Sequence, residues 1–134
     1  MNFHGHAKDF KEQKKYFRSK PLKVSPHFNS SEFFSKNSDN EVAFVHPTLI
    51  ELLEYIRVQI GRPLIINSGY RDPAHNTRIG GAPASTHLYG MAADIRTPDL
   101  ADLERIEQLA KPVAGGVKRY NTFVHVDIWT RRTW

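Results

Sequence analysis

The feature that most constrains this chain is an interrupted stretch lying between two apolar runs. From Ser68 to Ile95 it reads SGYRDPAHNTRIGGAPASTHLYGMAADI, broken by Gly69, Gly80, Gly81 and Gly90 and by Pro73 and Pro83. A segment this long without strong periodicity of its own is uncommon inside a compact domain and is usually functional. It ends on an aspartate set among alanines and an isoleucine. Burying a carboxylate there is costly unless it is paired or binds a metal. His87 stands seven residues before Asp94, with Gly90 between them able to fold the backbone back. Far downstream, FVHVDIW offers His125 and Asp127. Two histidines and a carboxylate brought together by folding form a possible zinc site.

Length and composition bound what can surround that site. A chain of 134 residues is expected to be one domain with a real core. Cysteine is absent, so any metal must take nitrogen and oxygen ligands. No apolar run approaches the length of a membrane span. The first thirty residues lack the apolar centre of a secretory signal, so the chain is expected to be cytoplasmic at synthesis or released by another route. A net charge of +5 and a pI near 9.6 favour an anionic partner. The charge is densest from Lys8 to Lys23, where the plain reading is a solvated basic face. With no helix-turn-helix, zinc-finger or stacked-aromatic pattern, nucleic acid is not expected as a partner.

In chain order, residues 1–25 read as a basic N-terminal arm with one short helix around Phe10 and Phe17. His4 and His6 could bind a metal there, though such a pair in a mobile arm is more often incidental. The domain proper is expected over 26–134. NSSEFFSK suggests a short helix packed by Phe33 and Phe34, followed by a polar loop over 36–40. Pro47–Ile60 is the clearest helix, with Leu49, Leu52, Leu53, Ile56 and Ile60 on one face and Gly61 placed to end it. Strands are expected at Pro63–Asn67 and Met91–Ile95. A second helix follows over Pro98–Ala110, capped by Thr97, with Leu100, Leu103, Ile106 and Ala110 inward. After Gly115-Gly116 a hairpin leads to a last strand, Phe123–Trp129. Alternation puts Phe123, His125, Asp127 and Trp129 on one face of it. The order predicts an α+β fold, a small antiparallel sheet packed with helices.

A catalytic zinc takes three protein ligands and keeps one position for water. His87, Asp94 and His125 supply such a set, although each residue alone has a plainer role. A strand histidine is often a hydrogen-bonded core residue, and Asp94 can pair with Arg71 or Arg96.

The runs SGYRDPAHN, GGAPASTHLYGMAADI and FVHVD resemble the zinc D-alanyl-D-alanine carboxypeptidase and endopeptidase family of peptidoglycan peptidases, whose fold is shared with the hedgehog signalling domain. Ser85, His87, Gly90, Ala92, Asp94 and Ile95 fall on the pattern SxHxxGxAxDI, with His125 as the distal histidine, and the resemblance spans roughly residues 26–134. It implies Zn2+ held by His87, Asp94 and His125. It implies that Arg71 faces the substrate or the developing oxyanion, for which a fixed guanidinium is suited. Ser85 is expected either to bind substrate or to hold the loop, and His75 and Asn76 to organise it. Tyr120 is a candidate cleft wall, as is Trp129, with packing the simpler role for both. Lys118 and Arg119 could line the cleft, though solvated turn lysines are commoner.

Many relatives carry an acidic base three residues before the last ligand, where this chain has Thr122. Asp127 is the remaining candidate base. It is equally a candidate for holding a ligand histidine in one tautomer.

The function expected is therefore a zinc-dependent peptidase, of D,D-carboxypeptidase or endopeptidase type, cutting an amide in peptidoglycan stem peptides or cross-links. Small size, no signal peptide and no appended binding domain fit a monomeric phage-type lytic enzyme, an endolysin reaching the wall after release or on a virion. The competing expectation is a non-catalytic zinc module of the same fold that binds wall or a protein partner.

Overall fold

The computed structural model describes residues 2–35, 39–73, 76 and 85–132 of the chain. Its order begins with a 3-10 turn at Phe10–Glu12, then strands β1 (Lys14–Phe17), β2 (Lys23–Ser25) and β3 (Phe28–Asn29). A 3-10 turn at Ser30–Phe33, β4 (Val42–Val45), α1 (Pro47–Ile60) and β5 (Ile65–Ser68) follow. The second half carries a 3-10 turn at Thr86–Tyr89, β6 (Ala92–Arg96), a 3-10 turn at Leu100–Asp102, α2 (Leu103–Ala110), β7 (Val117–Arg119) and β8 (Val124–Asp127). The fold is α+β, and every strand pair is antiparallel.

The main sheet has four strands in the order β5-β6-β8-β7. Its pleat divides the sequence cleanly. Ala93, Ile95, Val124 and Val126 point to the helix side and are fully buried with Leu52, Leu53 and Ile56 of α1 and Ile106 of α2. The opposite face carries Asp94 and His125, which are direct cross-strand partners, together with the pair Ala92 and Asp127. Residues facing each other across antiparallel strands share one side of the sheet, so pairing alone delivers two of the three candidate ligands to one place.

Helix α1 runs over the residues its apolar spacing predicts. Pro47 occupies its first turn, and Gly61 closes it in the left-handed region at φ 68°. Its N-cap is unexpected: the His46 ring accepts a hydrogen bond from Thr48 N–H, a role usually filled by Ser, Thr, Asp or Asn. The short turn at Ser30–Phe33 is secured by a reciprocal capping box between Asn29 and Glu32, and Phe33 and Phe34 are buried as expected.

Several expectations need correction. The second helix does not begin at Pro98. A 3-10 turn capped by Asp99 precedes α2, and Leu100 is exposed rather than inward. Thr97 is tied instead to Asp99 and Asp102. The larger correction concerns residues 1–25, which run along the domain rather than away from it. Strand β1 pairs with β4, Phe3 is buried in the main core, and Tyr16 and Val24 pack against that core. Phe3, Gly5 and His6 donate backbone hydrogen bonds to the carbonyls of Val113, Trp129 and Ile128. KKYF has neither alternation nor length to announce a strand; the partner edge of β4 creates it. Among the described residues no helix is long and apolar enough to cross a membrane.

Candidate metal centre

Three elements converge on one point. Ser85 caps the Thr86–Tyr89 turn, its hydroxyl accepting His87 N–H at 3.2 Å. Gly90 ends that turn at φ 67°, so the chain reverses into β6 and carries Asp94 beside His87. Strand β8 brings His125. The His87 Nε2 and His125 Nδ1 atoms lie 3.3 and 3.2 Å from the same Asp94 oxygen, Oδ1, with the two rings 5.3 Å apart. The three residues expected as ligands are thus brought together.

Hydrogen bonding around the two rings decides which nitrogen of each is available. His87 Nδ1 donates to the Gly69 carbonyl at 2.8 Å, which leaves a lone pair on Nε2. That Nε2 is buried and has no hydrogen-bond partner. His125 Nε2 donates to Asp127 Oδ2 at 2.8 Å, which turns Nδ1 toward Asp94 Oδ1 at 3.2 Å. Two ring nitrogens therefore converge on one carboxylate oxygen, His125 Nδ1 within hydrogen-bond distance of it. Such an arrangement could hold a metal ion. Ligands on a single tetrahedral ion with bonds of about 2.0–2.1 Å sit about 3.3 Å apart, the spacing observed here. Burial opposes a charged imidazole at His125, but the hydrogen bonds and charges of Asp127 and Asp94 outweigh it and raise its pKa. Burial likewise opposes ionisation of Asp94, and the two histidines overcome it to hold the carboxyl far below its usual range.

Asp127 is not placed to act as a base. It is fully buried, and each of its oxygens is engaged twice. Oδ1 accepts from Gly116 N–H at 2.9 Å and Trp129 N–H at 3.0 Å, while Oδ2 accepts from His125 and from Arg132. A carboxylate so saturated has no oxygen left to engage a water. Its geometry fits the other expected role, fixing the tautomer of His125. Asp127→Asn is accordingly expected to weaken zinc binding about 10- to 100-fold, measured by chelator competition. Undiminished affinity would show that His125 is oriented by something else.

Arg71 is likewise turned inward. Its Nε, Nη1 and Nη2 donate to Ser68 Oγ (3.2 Å), Asn76 Oδ1 (3.2 Å) and Asp94 Oδ2 (3.3 Å). Arg71 thus pairs with Asp94, one of its expected alternatives, and Asn76 accepts a hydrogen bond from it. His75 lies outside the described residues. Tyr120 does not wall the site: it is exposed on the β7–β8 turn, stacked on Phe123 at 4.7 Å, with the Lys118 ammonium over its ring. Arg119 pairs with Glu107 at 3.4 Å instead of lining a cleft. Trp129 stacks on Tyr89 at 5.7 Å, joining the end of β8 to the turn that holds His87. Thr122 is exposed.

Sequence reasoning missed three supports of the centre: the Gly69 carbonyl, Ser68 and Arg132. A backbone carbonyl leaves no signature in side-chain chemistry. Arg132 reaches Asp127 from the chain beyond β8, where no period links the two.

An antiparallel sheet presenting a His–Asp–His set with oriented rings defines an α+β domain with a candidate metal centre. The peptidase M15 family model matches residues 26–127, and the chain belongs to that family. It is also 31% identical over 88 residues to the zinc D-Ala-D-Ala carboxypeptidase of Streptomyces albus G, covering 61% of this chain and 34% of that protein. The match thus spans about a third of that relative's length.

Proposed function

We propose that the protein is a zinc-dependent peptidase that hydrolyses an amide in peptidoglycan stem peptides or their cross-links, with His87, Asp94 and His125 holding the ion. The observation carrying this reading is the convergence of one ring nitrogen from each of His87 and His125 on one Asp94 oxygen. Zinc bound there supplies a water of near-neutral pKa and a Lewis acid for a carbonyl. The residues around it do the positioning. Arg71 fixes Asp94 through its second oxygen and keeps a positive charge beside the site, where a developing oxyanion or a substrate carboxylate gains most. Gly69 and Asp127 set the two tautomers, and Ser85 holds the His87 turn. The substrate class rests on the name of the Streptomyces relative, and a net charge of +5 suits approach to an anionic wall. A D,D-carboxypeptidase or endopeptidase acting as a monomeric lytic enzyme, freed from the cell or carried on a virion, is the form that agrees with the sequence.

A second reading has one observation in its favour. With Asp127 saturated and Thr122 exposed and non-titratable, no fourth acidic residue joins the cluster of three ligands among the described residues. A zinc module that binds wall or protein without cutting has no need of one. Digestion of purified peptidoglycan, with and without chelator and followed by mass spectrometry, separates the two. New chelator-sensitive amine and carboxyl termini are expected. Their absence would favour the binding module. Thr122→Ala should leave turnover within about twofold, as an exposed side chain outside the centre does.

A further inference from the structure

A second cluster of the same composition lies elsewhere in the fold. His6, Asp9 and His46 each place a ligand atom within 4.8 Å of the others, and none of them belongs to the centre described above. His46 is buried at 3% exposure, on the link between β4 and α1. Its Nε2 and the Asp9 Oδ1 atom are both buried, neither has a hydrogen-bond partner, and they face each other at 3.6 Å. That separation is informative. It exceeds a hydrogen bond, which ends near about 3.2 Å, and two hydrogen bonds through a bridging water would need about 4.5 Å. Two ligands of one tetrahedral ion stand about 3.3 Å apart, close to what is seen. His6 completes the set, with its Nδ1 at 2.9 Å from the other Asp9 oxygen and its ring 5.0 Å from that of His46.

We propose that His6, Asp9 and His46 form a second divalent-metal site, taking a zinc-class ion through two imidazole nitrogens and one carboxylate oxygen. His4, the other histidine of the HxH pair, takes no part in the cluster.

The site differs from the first in one chemical respect. At His87 the far ring nitrogen donates to a carbonyl, so the facing nitrogen is already free for metal. At His46 the far nitrogen accepts Thr48 N–H at 3.1 Å, so in the metal-free ring the facing Nε2 carries the proton. Loading moves that proton to Nδ1 and gives up the helix cap. The second site is therefore the weaker one, and its filling is reported at the Thr48 amide. Its effect is mechanical. Backbone bonds from Gly5 and His6 to Trp129 and Ile128, and from His46 to Gly90, place the cluster between the N-terminal segment and the turn that holds His87. An ion there straps that segment down, outside the stretch that matches the family.

The test is a zinc titration of the untagged 134-residue chain. Wild type is expected to bind two equivalents, the second at least about tenfold more weakly, with the Thr48 amide resonance moving only during the second. Asp9→Asn should keep the tight equivalent and lose the weak one. The reverse variant, Asp94→Ala, should keep only the weak one, and adding Asp9→Asn to it should leave none. Should Asp94→Ala fail to fold, the wild-type and Asp9→Asn titrations decide alone. A single equivalent in wild type, or a second that survives Asp9→Asn and His6→Ala, would overturn the proposal. Failure of the hydrolytic reading leaves this outcome untouched, because the readout is stoichiometry and not turnover.

Discussion

Asp94→Ala is expected to remove tight zinc binding and, with it, all measurable hydrolysis. The residue is the one point that both ring nitrogens share, and its second oxygen holds Arg71. Alanine leaves His87 and His125 without the anion between them and a guanidinium beside them with nothing to neutralise. Two imidazoles next to an unpaired cation make a poor zinc site. Turnover should fall by at least about a thousandfold, equivalent to about 4 kcal/mol of transition-state stabilisation. Chelator competition and peptidoglycan digestion measure the two losses independently. Retention of both would dismiss the centre.

The largest effect on stability is expected at Gly90. Its backbone sits at φ 67°, and a Cβ built there would lie 2.0 Å from the Phe44 carbonyl oxygen and 2.9 Å from Val45 Cα. These neighbours are backbone atoms of β4, so no rotamer change relieves the clash. Gly90→Ala should cost about 3–5 kcal/mol, among the large values for a single substitution, and lower the melting temperature by about 10–15 °C. Because Gly90 sits between His87 and Asp94, metal affinity should drop in the same variant. Thermal denaturation with and without zinc checks both; a melting point within a few degrees of wild type would contradict the close approach. Gly115→Ala meets a similar obstacle in the Trp129 carbonyl oxygen at 2.5 Å, on the other side of the centre.

What could be read from the residues followed from how local each signal was. Helix α1 is written in apolar spacing with proline and glycine at its ends, and it forms where that pattern says. The candidate ligand set was legible because an aspartate in MAADI has to be explained and because alternation in FVHVD points His125 away from the core. The N-terminal strands were not, since β1 to β4 are two to four residues long and exist through their pairings. The roles of Asp127 and Arg71 were legible only as alternatives. Which one holds depends on how many partners each finds, and those come from Gly116, Trp129, Arg132, Ser68 and Asn76, scattered along the chain.

The pairing of β1 with β4 also fixes where this protein can be cut. The family match begins at residue 26, which invites an expression clone starting there. Such a fragment would lose Phe3 from the core and bare the edge of β4 along Val42–Val45. An uncovered apolar edge is a template for pairing between chains, so the shortened protein should be recovered as aggregates. The boundary drawn by similarity and the boundary drawn by folding differ by some two dozen residues.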